Sequence, residues 1–226
     1  EMYTGKVAPL GLKEMPSPMY TAEVDCVACH YSEHKDGKSS QWSGRTYQAS
    51  HDACVKCHGV KFKGIWEDTK NELTITIKEL NEKMAAAKEA INTSESPSKA
   101  KWLKEFGQAR QWLDFVEASH GEHNIYLASE ILRRADSQMN ALAREMNAAL
   151  PDLSSRGLIS GNYCATMCHE KVGVKVPPET VRAFGSTMPH LMHTQMMGCV
   201  ECHEIGAHKK VPLKKEVKQV CKNCHP

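Results

Sequence analysis

The sequence predicts a mainly α-helical chain, in which a central antiparallel helical hairpin or three-helix bundle is flanked by N- and C-terminal segments with little regular structure. Three observations lead there. Residues 67–150 carry two long apolar repeats of helical period. No stretch alternates apolar and polar residues for long enough to announce a strand. All ten cysteines lie outside the central stretch, in 26–57 and 164–224. The resulting division is 1–66, 67–150 and 151–226, packed as one compact domain.

In the centre, Leu73, Ile77, Leu80, Met84, Ala87 and Ile91 recur at steps of four and three. That spacing is a narrow apolar stripe suited to packing helix on helix, and it predicts a helix over about 67–91. Ser96-Pro97 reads as an N-cap followed by proline in the first helical position, opening a second helix that runs to about residue 117. Gly121 breaks the pattern. A further stripe, Ile125, Ala128, Leu132, Ala135, Met139, Leu142, Met146 and Ala149, predicts the last helix, which Pro151 ends.

The flanks pose a different problem. With 41% hydrophobic and only 6% aromatic residues in 226, and a mean hydropathy of -0.50, side chains alone would make a thin core. The cysteines suggest what fills it. They form five close pairs, each followed directly by histidine: Cys26/Cys29-His30, Cys54/Cys57-His58, Cys164/Cys168-His169, Cys199/Cys202-His203 and Cys221/Cys224-His225. Four are Cys-x-x-Cys-His, the attachment pattern of c-type haem. Two thiols add across the vinyl groups on one porphyrin edge, and the next side chain then lies beneath the iron as its proximal ligand. A disulfide framework would explain an even number of cysteines but not the histidines. Zinc sites want four ligands each, and ten cysteines do not divide by four. The expected cofactors are therefore five covalently bound haem c groups, whose apolar faces form the core of both flanks. At Cys164/Cys168 the extra residue is expected to bulge outward so that both sulfurs reach their vinyls.

Seven histidines lie outside the motifs: His34, His51, His120, His123, His190, His193 and His208. Five irons have a sixth position to fill. Histidines within a helical turn of a motif lie on the wrong side of that motif's own haem, so His34, His51 and His208 are expected on neighbouring haems. The expected distal set is His34, His51, His123, His193 and His208, with His120 and His190 in reserve. Met188, Met192, Met196 and Met197 could in principle ligate iron through sulfur, but with histidine in surplus they read as fillers of irregular apolar gaps.

The formal charge of +2 misleads, because two propionates per haem outweigh the one compensating charge of each ferric iron and make the loaded protein negative. Nucleic acid is an unsuitable partner. No apolar run is long enough to cross a bilayer, and Glu1–Leu10 lacks the regions of a signal peptide, so the chain reads as mature. Haem is joined to such thiols outside the cytoplasm, which implies a periplasmic or extracellular location.

From Ala109 through Trp112, Asp114 and Phe115 to Gly121-Glu122-His123-Asn124, followed by Ala128 and Leu132, the chain resembles the helical segment of the cytochrome c nitrite reductase and hydroxylamine oxidoreductase superfamily. The resemblance covers about a tenth of the chain. It implies that His123 is a distal haem ligand, and it leaves the role of His120 open. The Cys-x-x-Cys-Lys active haem of the nitrite reductases is absent, which removes the reason to carry catalysis over. Together these features imply a carrier passing electrons along five closely packed bis-histidine haems. Its partners would be other redox proteins: cytochromes, reductases or membrane quinol-linked complexes. Two competitors stand beside it: a multihaem oxidoreductase acting on a small nitrogen or sulfur compound, and a subunit of an extracellular cytochrome polymer, a homo-oligomer or filament in which His120 ligates a haem of the next molecule.

Overall fold

Three long helices occupy the middle of the chain in the computed structural model, which describes residues 1–33, 47–50, 52–174, 176, 178–204 and 211–225. In order, the elements up to the bundle are α1 (Pro18–Thr21), α2 (Cys26–Cys29), β1 (His30–Glu33), β2 (Tyr47–Ala49) and α3 (Asp52–His58). The bundle itself is α4 (Ile65–Thr93), α5 (Lys99–Ala118) and α6 (Ile125–Met146). After it come α7 (Gly157–Ser160), a π-helical turn (Cys164–His169), β3 (Val181–Ala183), β4 (Ser186–Met188), α8 (His190–Met196), α9 (Cys199–Cys202) and α10 (Val217–Lys222). The chain is mainly α, as its periodicities predict.

Each long helix packs against the other two, and the short connections make sequential helices antiparallel. The hairpin-or-bundle alternative is thus resolved as a three-helix bundle. The stripe residues meet inside it: Leu73, Leu80, Met84, Ala87 and Ile91 of α4 face Ala109, Leu113 and Val116 of α5 and Ala128, Leu132, Ala135, Met139 and Leu142 of α6. At about 1.5 Å per residue, α4 is about 43 Å long. Two helix ends differ from expectation. α5 starts at Lys99 rather than Pro97, because Ser96 forms a turn instead of a cap: its Oγ accepts the Ser98 N–H at 3.2 Å and its carbonyl accepts that of Lys99 at 3.1 Å. α6 stops well before Pro151, at Met146. Asn147 takes the left-handed conformation (φ 52°), and Ala148 donates back to the Ala143 carbonyl at 2.9 Å, a closure that leaves Ala149 outside the helix.

One polar group is buried in the bundle with its partners. The Lys83 side chain is fully buried, and its Nζ donates to Asp136 Oδ1 at 2.6 Å and Asn140 Oδ1 at 2.7 Å. Asn140 Nδ2 in turn donates to Asp136 Oδ2 at 2.8 Å, so α4 and α6 are joined by a closed hydrogen-bonded set.

At the other end of the bundle the turn between α5 and α6 needs glycine. A Cβ on Gly121 would lie 2.9 Å from Val116 Cγ1 and 3.2 Å from Leu73 Cδ2. Asn124 caps α6, its Oδ1 accepting the Leu127 N–H at 3.2 Å. Its Nδ2 donates to the carbonyls of Met2 (3.1 Å) and Met15 (2.7 Å). Met2, Val7 and Leu12 are buried in the same core, so the N-terminal residues pack with the bundle, while Tyr3 also reaches the flank that follows, its hydroxyl donating to the Val24 carbonyl at 2.5 Å. Two antiparallel strand pairs, β1–β2 and β3–β4, lie in the flanks. At three or four residues each they are too short for alternation to reveal in sequence.

Candidate functional site

Every cysteine pair sits on a tight helical turn. Cys26 and Cys29 span α2, Cys54 and Cys57 lie in α3, Cys199 and Cys202 span α9, and Cys221 lies in α10 with Cys224 in the turn after it. Residues i and i+3 of a helix share a face, and the histidine at i+4 joins them there. The spacing thus presents two thiols and one imidazole to the same side. All ten cysteines are free thiols. The pair with the extra residue obtains this arrangement differently from the expected outward bulge. Cys164–His169 is a π-helical turn, continued by the Glu170 N–H donating to Ala165 at 2.9 Å. At about 4.4 residues per turn, a π-helix brings residue i+4 nearly over residue i. The wider winding absorbs the additional residue and keeps both sulfurs on one face.

The five turns adjoin one another in chain order. The Ser50 N–H, just before α3, donates to the Cys29 carbonyl at 2.8 Å. Lys171, just beyond the π-turn, is ion-paired to Asp68 near the start of α4. Gly161 and Gly198 bring the third and fourth turns into backbone contact: a Cβ on Gly161 would lie 2.7 Å from the Gly198 Cα, and the Cys199 N–H donates to the Gly161 carbonyl at 3.1 Å. α9 packs on α10. The thiols sense the same order. Burial, then the nearby Cys57 thiolate, raises the pKa of Cys29. Burial and then Cys29 raise Cys54, and burial and then Cys54 raise Cys168. Cys164 is pushed up to about 12 by burial and then by Cys199, and Cys202 is raised by burial and then by Cys221. Burial favours neutral sulfur, which a thioether is at every pH.

Three histidine pairs join a motif histidine to one from elsewhere. The ring centres of His30 and His123 are 6.1 Å apart, those of His203 and His190 6.2 Å, and those of His225 and His193 6.1 Å. Two imidazoles bound at about 2 Å from one iron, on opposite faces of a porphyrin, have ring centres roughly 6 Å apart. Backbone carbonyls orient several of these rings through Nδ1: Tyr47 for His30 (3.2 Å), His120 for His123 (3.1 Å), Pro189 for His193 (2.8 Å) and Val211 for His203 (3.1 Å). A proton held on Nδ1 leaves the Nε2 lone pair available to a metal.

Of the expected distal set, His123 and His193 are placed opposite motif histidines, while His34, His51 and His208 lie outside the described residues. His190, held in reserve, faces His203. The signal for it was the spacing: His190 and His193 are three apart on α8, which puts both rings on one face of a single short helix. His120 faces no motif histidine among the ring contacts of the described residues; its ring centre is 6.0 Å from that of His123. Sequence reasoning also missed the struts between elements. Asn162 Nδ2 donates to the Thr194 carbonyl of α8 at 2.7 Å, and Arg133 of α6 is paired to Glu201 of α9 at 2.5 Å.

The donor set and the surface both fit haem. A porphyrin supplies four nitrogens to its iron and asks two imidazoles of the protein, which the three histidine pairs offer. Large apolar side chains exposed in the polypeptide are concentrated around the motifs, among them Val27, Val60, Phe184, Leu191, Met192 and Met196, and only Ile75 and Leu103 belong to the bundle. Apolar surface of that extent is normally covered by something. No helix among the described residues is long and apolar enough to cross a membrane. Comparison of the chain with protein-family models, with curated proteins and with solved structures found no match.

Proposed function

We propose that this chain is a pentahaem c-type cytochrome that carries electrons along five haems held in chain order. The observation that carries the reading is the set of three histidine pairs, each uniting a Cys-x-x-Cys-His histidine with a distant one at the separation that two axial ligands require. Haem supplies the one-electron chemistry. The polypeptide binds, orients and insulates. Ten thiols anchor the groups, the motif histidines hold one face, and His123, His190 and His193 hold the other at the first, fourth and fifth motifs. His34, His51, His120 and His208 remain for the iron positions above His58 and His169. The bundle fixes His123 at the α5–α6 turn, and α8 fixes two distal ligands at once. Saturating both axial positions with imidazole leaves no open coordination site for a substrate, which favours a carrier over an oxidoreductase. The location proposed is periplasmic or extracellular, with other redox proteins as partners.

Intact mass and ligand binding test this reading. The purified protein should weigh about 3.1 kDa more than its 25.2 kDa polypeptide, the mass of five haem c groups. An excess of four would remove the assignment at Cys164 and Cys168, and none would overturn it altogether. Nitrite, hydroxylamine, sulfite and carbon monoxide, added to the fully reduced protein, should leave the Soret band unchanged. Rapid stoichiometric binding with turnover would instead establish an enzyme.

A further inference from the structure

Four of the six paired imidazoles donate Nδ1–H to a backbone carbonyl: His30, His123, His193 and His203. His225 is exposed and open to water. His190 has neither recourse, because its Nδ1 is buried and meets no hydrogen-bond partner. The helix that carries it explains the difference. His193 reaches four residues back to the Pro189 carbonyl at 2.8 Å. His190 is the first residue of α8, and four residues before it stands Ser186 of β4, which pairs with Ala183 across the hairpin. No preceding helical turn supplies a carbonyl to the ring. With Nδ1 covered by the polypeptide, Nε2 is left for the iron. The same pair also differs in ring orientation. His190 and His203 are crossed at 82°, while His193 and His225 stand at 39° and His30 and His123 are nearly parallel at 13°. Parallel imidazoles donate π density to the same iron orbital and stabilise the ferric hole there; crossed imidazoles divide their donation between two orbitals, stabilise the hole less and leave the two orbitals close in energy.

We propose that His190 is the weakest nitrogen donor of the three distal histidines, and that the haem of the fourth motif is for that reason reduced before those of the first and fifth. This rests on the reading of the paired histidines as axial ligands. A hydrogen bond from Nδ1–H to a carbonyl raises the basicity of the ligating nitrogen and favours ferric iron; His123 and His193 have that bond, and His190 lacks it. Carboxylates near the fourth motif do not reverse the order, since Glu201 is paired with Arg133 at 2.5 Å and Glu204 with Lys13 at 3.9 Å. One electron from a redox partner converts Fe(III) to Fe(II) at that haem, with no bond made or broken. Electrons entering the chain at its first or its fifth haem then settle at the fourth.

A redox titration of the haem-loaded protein, followed by low-temperature EPR, tests this, with single variants identifying the signals. His123→Ala, His190→Ala and His193→Ala should each remove one ferric low-spin signal. The signal missing from His190→Ala should be the more anisotropic, at lower field than the one missing from His123→Ala, as crossed and nearly parallel rings require. In the parent protein it should be the first of the three to disappear on reduction. Should His190→Ala not load five haems, His190→Met keeps a sixth ligand and marks the same haem, because thioether sulfur raises its potential; the potential that moves should be the highest of the three in the parent. A His190 signal that outlasts that of His123 or His193, or a potential moved by His190→Met that is not the highest, overturns the proposal while leaving the ligand assignment in place. Five low-spin haems in His190→Ala would remove the pairing with His203 and the proposal with it.

Discussion

Replacing Lys83 by methionine probes the bundle without touching any of the paired histidines. The ammonium is fully buried and Asp136 nearly so, 2.6 Å away. Methionine fills most of the volume but leaves the Asp136 carboxylate facing apolar neighbours with one hydrogen bond in hand, from Asn140 Nδ2 at 2.8 Å. Breaking one side of a buried ion pair costs about 3–5 kcal/mol. The surviving amide bond places this case at the lower end, about 3 kcal/mol, and at about 2–4 °C per kcal/mol for a chain of this size the midpoint should fall by about 6–12 °C. Thermal unfolding followed at 222 nm measures it. The Soret and α bands at room temperature should be unaltered, since Lys83 contacts none of the motifs. The companion variant, Lys83→Met with Asp136→Leu, removes both charges and should recover most of the loss, because a buried pair contributes little net stability over well-packed apolar side chains. A single variant that loses less than about 1 kcal/mol would refute the view that the pair is held dry and closed.

Further outcomes follow from the site. His190→Ala and His193→Ala should each turn one haem of five high-spin with all five still attached, and the double variant should turn two; an entirely low-spin His190→Ala protein would disprove the pairing with His203. Gly198→Ala should cost about 1–3 kcal/mol, since the new Cβ would lie 2.8 Å from the Gly161 Cα; a melting temperature equal to that of the parent would show that the two backbones are not in contact. Glu130 is pushed up by burial, but hydrogen bonds and charge from Arg133 and Arg134 outweigh this and hold its carboxyl below the usual range. Its contribution to stability is therefore complete above the ordinary glutamate pKa and is lost as pH falls through the depressed folded value. Melting temperatures taken between pH 7 and pH 3 should converge for the parent and Glu130→Gln at the acid end, and a constant gap would contradict the linkage.

The bundle was legible because its stripes repeat over many turns, and a repeat such as Leu73 to Ile91 has one physical use. Its ends were less so. Ser96 can cap a helix or fold a turn with the same hydroxyl, and Asn147 closes α6 by a left-handed backbone that apolar periodicity does not encode. At the site, the attachment residues could be read off because two thiols and an imidazole must share a face at fixed spacing. Which distant histidine faces which motif could not, since His123 lies ninety-three residues beyond His30 and proximity of that kind is a property of the fold. For His190 the three-residue spacing from His193 is the sequence signal, since it sets both rings on one side of a short helix. The π-turn at Cys164–His169 was legible only as an anomaly of one residue, because an insertion can be looped out or wound in, and packing decides which.

The uneven distribution of apolar burial bears on how such a chain is made. The bundle buries its stripes against one another and against Met2, Val7 and Leu12. It can close with no prosthetic group. The segments around the motifs keep side chains such as Val27, Val60 and Met196 in water, and have little to hold them shut. If the flanks take haem, the bundle would form first and the flanks would close on attachment, with His123 already presented at the tip of the bundle. On the reading proposed above, loading would be the final act of folding for the flanks, and an incompletely loaded molecule should show loose, protease-sensitive ends on an intact helical centre.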